Sequence, residues 1–284
     1  LKLQYKDYAF WQSNHTSAPI ARAKEYWHTL FAEVPKPLQL QTDRERPAEK
    51  TFAGDEVEFH LNAASAKALY LESEKYGTTL FSTCLSLLYL LLSKYTKQED
   101  IVIGTPTAGR ERPELENQVG FYVNTLPIRL QSSLQSRFEE LVMHCRARVL
   151  EAIDHQAYPY DQLVEDLGLL NARDRNPLFD VMLTVEESES IDFSEQKVVS
   201  IQPEHAKYDL LVGLSIAPNG VMGTVEYNKG IFDKSRIELM VKYLSQIIES
   251  LPDFKEKSVD QILIQSDSFL NTSDEVKDWS FDFE

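Results

Sequence analysis

Thr79 is followed by sixteen residues, Leu80–Tyr95, that carry a single charge, Lys94. At their centre Leu85–Leu92 reads LSLLYLLL. A membrane span needs about 20 apolar residues, so this run is too short to cross a bilayer and reads as a core helix. Such a helix must be packed around by other elements, which makes a layered domain the frame for the rest of the chain.

The flanking segments supply the layers. Val57, Phe59 and Leu61 alternate with polar neighbours, a half-buried strand ending at Asn62. Asn62 is placed to cap a helix through about Tyr76, with Gly77 as its stop. Ile101–Thr107 and Asn124–Leu130 read as strands, and so does Leu178–Glu187. Residues 208–217 and 221–228 form a hairpin about Pro218-Asn219-Gly220. Helices are expected over 21–33, 134–154 and 234–251, with Pro35–Pro47 an extended connector after the first. The fold class is α/β with antiparallel pairing at the end, and there is no internal repeat. Beyond Pro252 the chain turns polar, and SDSFLNTSDEVKDWSFDFE is acidic, with Phe269, Trp279, Phe281 and Phe283 as its aromatic residues. It reads as an inter-domain linker lying against its own domain.

Charge excludes some partners. With 45 acidic against 29 basic residues the net charge is -16, whereas nucleic-acid binding draws affinity from Lys and Arg neutralising phosphates. Anionic membranes are disfavoured for the same reason. The two cysteines, Cys84 and Cys145, lie in apolar helical stretches and are expected as buried free thiols, which suits a reducing cytoplasm. The first residues, LKLQYKDYAFWQ, lack the apolar region of a signal peptide. A start at Leu1 suggests a fragment, a processed product or the ordered part of something longer.

Generic chemical motifs are absent. His15, His28, His60, His144, His155 and His205 form no ligand-like pair, and adjacent His144 and Cys145 would point about 100° apart on a helix, so no metal is expected. GTPTAGR, Gly104–Arg110, has the glycine spacing of a phosphate loop but not its Lys and Ser/Thr. There is no G-x-S-x-G.

Longer segments say more. YKDYAFWQ (Tyr5–Gln12) resembles the Tyr-x-Asp-x-Ala-x-Trp motif of condensation domains from nonribosomal peptide synthetases. LQLQTDRERP resembles the connector that follows it there. IVIGTPTAGRERPELENQVGFYVNTLPIR (Ile101–Arg129) is similar to the Gly-x-Phe-Val-Asn-Thr motif and its approach. HQAYPYD (His155–Asp161) resembles His-Gln-Asp-x-Pro-Phe-Glu, and RNPLF (Arg175–Phe179) resembles Arg-x-Pro-Leu-Phe. KYDL and VEYNKGIFD match the usual end, so the likeness runs in order over about residues 3–252. Departures are local: Ala157 for Asp, Tyr160-Asp161 for Phe-Glu, and Asn171-Ala172 for Arg-Asp. The family signature His-His-x-x-x-Asp-Gly has no counterpart, since no His-His pair exists in the chain.

The resemblance implies one lobe of two in a chloramphenicol acetyltransferase-like layered sandwich, a mixed sheet with flanking helices. Residues 1–252 would be the C-terminal lobe and 253–284 the acidic linker or tail. It implies no catalytic residue in this chain, the signature histidines lying on the N-terminal lobe. Arg110 would salt-bridge the signature aspartate across the lobe junction and, with that partner missing, should be exposed or satisfied locally. Gly120, Tyr122, Asn124 and Thr125, with Arg175 and Asn176 on the acceptor side, would line the tunnel. Asn124 could equally serve local backbone groups, and Arg175 a structural salt bridge. Gly120 should permit a tight turn or close approach. Tyr8 and Trp11 are expected as core anchors, and His155 as a cap or turn bond rather than a base. No cofactor would bind directly, the substrates riding on the phosphopantetheine of donor and acceptor carrier proteins. Further partners would be the N-terminal lobe and an adjacent adenylation domain. Two other readings stand beside this one: a non-catalytic carrier-binding or scaffolding module, and half of an epimerisation domain, which GFYVNT and RNPLF disfavour.

Overall fold

The computed structural model describes residues 4–14, 18–110, 112–170, 173–192 and 204–262. His15, Glu111, Asn171-Ala172, Phe269, Trp279, Phe281 and Phe283 lie outside these. In chain order the elements are α1 (Tyr5–Asn14), α2 (Ala18–Leu30), β1 (Gly54–Asn62), α3 (Ala63–Lys75), α4 (Leu80–Thr96) and β2 (Asp100–Thr107). Next come β3 (Asn124–Gln131), α5 (Phe138–Asp154), α6 (Tyr160–Asp166), β4 (Val181–Glu187), β5 (Leu210–Ala217), β6 (Gly220–Asn228) and α7 (Lys234–Glu249).

Local signals start and stop the central helices. Asn62 Oδ1 accepts from the N–H groups of Ala64 at 2.9 Å and Ser65 at 3.2 Å, meeting donors that the first turn of α3 leaves open. Gly77 leaves that helix at φ +56°, a conformation that costs glycine no Cβ clash. Thr79 Oγ1 then accepts from Ser82 N–H at 3.2 Å to open α4.

Helix α4 is buried on every side, against α3, α5, α7 and β4. Its hydroxyls are satisfied inside that core: Ser86 donates to the Ser82 carbonyl at 2.7 Å, and Thr83 pairs with Ser73 of α3 at 2.7 Å. Cys84 and Cys145 are buried free thiols, as composition indicated. Among the described residues no single helix is long and apolar enough to cross a membrane.

The six strands of the described residues form one mixed sheet in the order β1-β6-β5-β4-β2-β3. The β1/β6, β5/β6 and β2/β3 pairs are antiparallel; β2/β4 and β4/β5 are parallel. Val57, Phe59 and Leu61 turn towards the helical layer, and Phe59 fills the space that a side chain at Gly223 would need. On the opposite face Phe179 covers Gly104, where an added Cβ would lie 2.2 Å from its ring.

Boundaries shift where tertiary contacts decide them. Helix α5 begins at Phe138 rather than 134; the Arg137 N–H is met by the Glu140 carboxylate at 3.0 Å. Strand β4 begins at Val181, because Leu178 takes φ +65° and breaks the extended path. Residues 253–262 lie on the domain, with Phe254, Val259 and Ile262 buried. There Phe254 meets Phe138 edge-on at 5.1 Å, and Val259 N–H donates to the Ser136 carbonyl at 2.9 Å.

Candidate functional site

Four of the motif-like segments meet at one cleft of about 220 Å³. Tyr8, Trp11 and Gln12 come from α1, Gly109, Arg112 and Leu115 from the loop after β2, Tyr122 and Asn124 from the approach to β3, and Gln156 and Ala157 from the turn after α5. The cleft has aromatic walls and a rim of amide and charged groups.

Tyr8 and Trp11 are not core anchors, contrary to the expectation from sequence. Tyr5, Tyr8 and Trp11 recur every third residue, which puts them on one face of α1. That face meets the loop instead of the core: Tyr122 lies 5.3 Å from Tyr5 and 4.7 Å from Tyr8 between ring centroids. Their three-residue spacing was the available signal for an aromatic stripe. Leu115 and Arg112 had none, because only the folded loop brings them to the cleft, which Gln156 reaches from the turn after α5.

The loop 108–123 is pinned inward by alternate residues. Tyr122 is buried, and its hydroxyl donates to Gln118 Oε1 at 2.8 Å. Gly109 takes φ +63°, and a Cβ there would fall 1.9 Å from the Tyr122 carbonyl oxygen. Gly120 allows the same close approach, against the rings of Tyr5 and Tyr122. Val119, Phe121 and Val123 point the other way and are exposed.

Arg110 is half-buried, and its charge is met within the loop. Its guanidinium lies 4.3 Å over the Tyr122 ring and donates to the Leu115 carbonyl. Among the described residues it makes no ion pair. Arg112 stands over Trp11 at 5.6 Å.

Asn124 spends its whole amide on the backbone. Nδ2 donates to the carbonyls of Gln156 and Tyr158 at 2.9 Å each, while Oδ1 accepts from Tyr160 N–H at 3.0 Å and Thr125 N–H at 2.8 Å. It lines the cleft and at the same time fixes the turn opposite. Thr125, half-buried, pairs with Pro106 across the strands. Gln156 accepts from the Thr107 hydroxyl at 2.6 Å.

His155 closes α5. Its Nδ1 lies 2.7 Å from the Glu151 carbonyl, its ring stacks on Tyr26 at 4.0 Å, and its own carbonyl accepts from the Trp27 indole at 2.9 Å. A cap or turn role was the reading from sequence, and the ring holds that place. Nearby, Asp166 gathers Lys24 at 2.7 Å, His28 at 2.9 Å and the Tyr158 hydroxyl at 2.5 Å. These donors, Lys24 first, hold its carboxyl well below the usual range.

Arg175 and Asn176 do not join the cleft. Arg175 lies 3.3 Å from Asp180, and Asn176 accepts from Lys50 at 2.8 Å and donates to the Lys207 carbonyl at 3.1 Å. They belong to a separate polar cluster under the loop that leads into β4. Among the described residues no group of His, Cys, Asp or Glu could hold a metal ion.

Comparison with known proteins gives this arrangement its relatives. Surfactin synthase subunit 1 of Bacillus subtilis (strain 168) is 36% identical over 271 residues, covering 94% of this chain and 8% of that protein. Malpinin synthetase of Mortierella alpina is 36% identical over 265 residues, covering 91% of this chain and 3% of that protein. The chain thus spans less than a tenth of these curated relatives. Among solved structures, the X-domain in complex with OxyB from teicoplanin biosynthesis superposes with a TM-score of 0.81 at 23% identity, over 93% of this chain and 61% of that one. A four-domain nonribosomal peptide synthetase bound to AMP and glycine gives a TM-score of 0.80 at 20% identity, over 90% of this chain and 21% of that one. Residues 1–270 match the family described as Condensation domain. The chain belongs to the condensation-domain family and forms part of a nonribosomal peptide synthetase condensation domain.

Proposed function

We propose that this chain is the C-terminal lobe of its condensation domain and works together with an N-terminal lobe that carries His-His-x-x-x-Asp-Gly. The observation that carries the reading is the meeting of α1, GTPTAGR, GFYVNT and HQAYPYD at one aromatic cleft, with His155, beside the lining residue Gln156, committed to capping α5. In the joined domain an acceptor amine attacks a donor thioester carbonyl. The C–N bond forms, the C–S bond breaks, and the thiol of the donor's phosphopantetheine arm recovers the proton. Much of the acceleration is positioning of two tethered reactants. This lobe contributes a tunnel wall, crossover elements and part of the surface on which carrier proteins dock, with an adenylation domain adjacent. Gly120, Tyr122, Asn124 and Thr125 belong to the wall, Arg110 takes the signature aspartate when the lobes meet, and Arg175 and Asn176 support the acceptor side through the loop they anchor. A reducing cytoplasm suits the two buried thiols.

The exposed row Val119, Phe121 and Val123 favours a second reading, a module that binds carriers or a partner chain without chemistry of its own. Intact mass spectrometry decides between them. Acceptor-loaded carrier is incubated with donor-loaded carrier and this chain, with and without an added N-terminal lobe. Amide product only with the added lobe supports the proposal, and product from this chain alone overturns it. Lobes that associate without making product point to the binding module.

A further inference from the structure

Two aspartates lie buried side by side where β4 and β5 begin. Val181 and Leu210 form the first rung of that parallel pair, so the register makes neighbours of the residues just before them, Asp180 and Asp209. Their side chains are only 3% and 1% exposed. The Asp209 N–H donates to the Asp180 carbonyl at 3.1 Å, which ties the two backbones.

Their partners are unequal. Arg46, from the connector before β1, grips both carboxylate oxygens of Asp209 and also donates to the Asp174 carbonyl at 3.3 Å. Among the described residues Asp180 has a single long contact, from Arg175 at 3.3 Å, and its buried Oδ1 has no partner. Lys50 is turned towards Asn176 and the Lys207 carbonyl. Tyr160 spends its hydroxyl on the Pro177 carbonyl. Asp174 lies on the outer side of Arg175, at 3.5 Å.

Two adjacent carboxylates out of water resist ionising together, and the one with fewer donors keeps the proton. Burial is the main force raising Asp180, followed by the charge of Asp209, while Arg175, Arg46 and Lys50 pull the other way. A protonated Asp180 also turns an acceptor left unpaired into a potential donor.

We propose that Asp180 and Asp209 hold one proton between them, carried on Asp180, and that this proton fastens the connector 44–50 and the loop 173–180 to the sheet. Gaining the proton removes repulsion inside the pair, and losing it leaves two negative charges there. The fastening is therefore pH-sensitive. A carboxyl whose folded-state pKa exceeds its unfolded value stabilises the fold fully below the unfolded value, and that contribution is lost as pH rises through the folded value.

Thermal unfolding of the wild-type chain and Asp180→Asn, from about pH 4 to about pH 8, tests this. The variant keeps the shape without the titration, so it should gain on wild type as pH rises, by at least about tenfold in the folding equilibrium. Curves that stay parallel overturn the proposal. Carboxyl carbon NMR of the wild-type chain decides the matter even if the variant does not fold. An Asp180 midpoint above the usual carboxylate range supports the proposal, and one inside that range overturns it. In Asp209→Asn the Asp180 midpoint should fall, and an unmoved midpoint overturns the sharing.

Discussion

Asn124 reaches across to Tyr158 and donates its amide to that residue's carbonyl at 2.9 Å. The same side chain holds Gln156 and Tyr160, so one residue at the start of β3 sets the shape of the turn after α5. Asn124→Ala leaves several half-buried backbone groups without partners, at a cost of about 1–3 kcal/mol for each one that water cannot reach. Asn124→Asp keeps the acceptor and loses both donated bonds. Thermal denaturation should rank the chains wild type, then Asp, then Ala.

Gly109 and Gly168 separate backbone strain from steric contact. Both take positive φ, +63° and +70°, but an added Cβ at Gly109 meets the Tyr122 carbonyl while at Gly168 it meets nothing within 4 Å among the described residues. Gly168→Ala should cost roughly 1–2 kcal/mol, the penalty for a left-handed L-residue. Gly109→Ala should cost more and loosen the loop 108–123. Hydrogen exchange at the backbone of Leu115 and Gln118 is the measurement, and equal protection in both variants would contradict the account.

The Asp166 cluster gives the domain an acid-sensitive joint. Hydrogen bonds from Lys24 and Tyr158 hold the Asp166 carboxyl below the usual range. A depressed carboxyl stabilises the fold above its unfolded pKa, and that stability is lost as pH falls towards the folded value. Wild type should exceed Asp166→Asn in melting temperature at neutral pH, and the gap should close in strong acid. A gap of constant size would assign the joint to packing.

Cys84 and Cys145 should be silent towards thiol reagents in the folded chain. Burial pushes both thiols up to about 12, so almost no thiolate exists at neutral pH and no reagent can reach it. Titration with a chromogenic disulfide should read two thiols after denaturation and none before.

What could be read from the sequence follows how local its cause is. Asn62, Gly77 and Thr79 act within one turn of chain, and each helix boundary they mark lies where composition put it. The pairing of β2 with β4 joins distant segments of the chain, and no short window contains it. Helix α6 has seven residues, too few for periodicity to rise above noise. The aromatic face of α1 looks like a core stripe because burial in a core and contact with a loop favour the same residues. At the cleft, resemblance marked Tyr122 and Asn124, the folded loop added Leu115, and the turn after α5 added Gln156. Arg175 went to Asp180, the chain between them being turned by Leu178 at φ +65°.

The pairing of β1 with β6, Gly54 opposite Asn228, also governs how the protein is made. Translation delivers β1 well before β6, its neighbour in the sheet among the described residues. At roughly 5–20 residues per second, the first strand leaves the ribosome many seconds before it has anything to pair with. Through that interval Val57, Phe59 and Leu61 are bare, and the nascent chain depends on the early helices α3 and α4, or on a chaperone, to shield them.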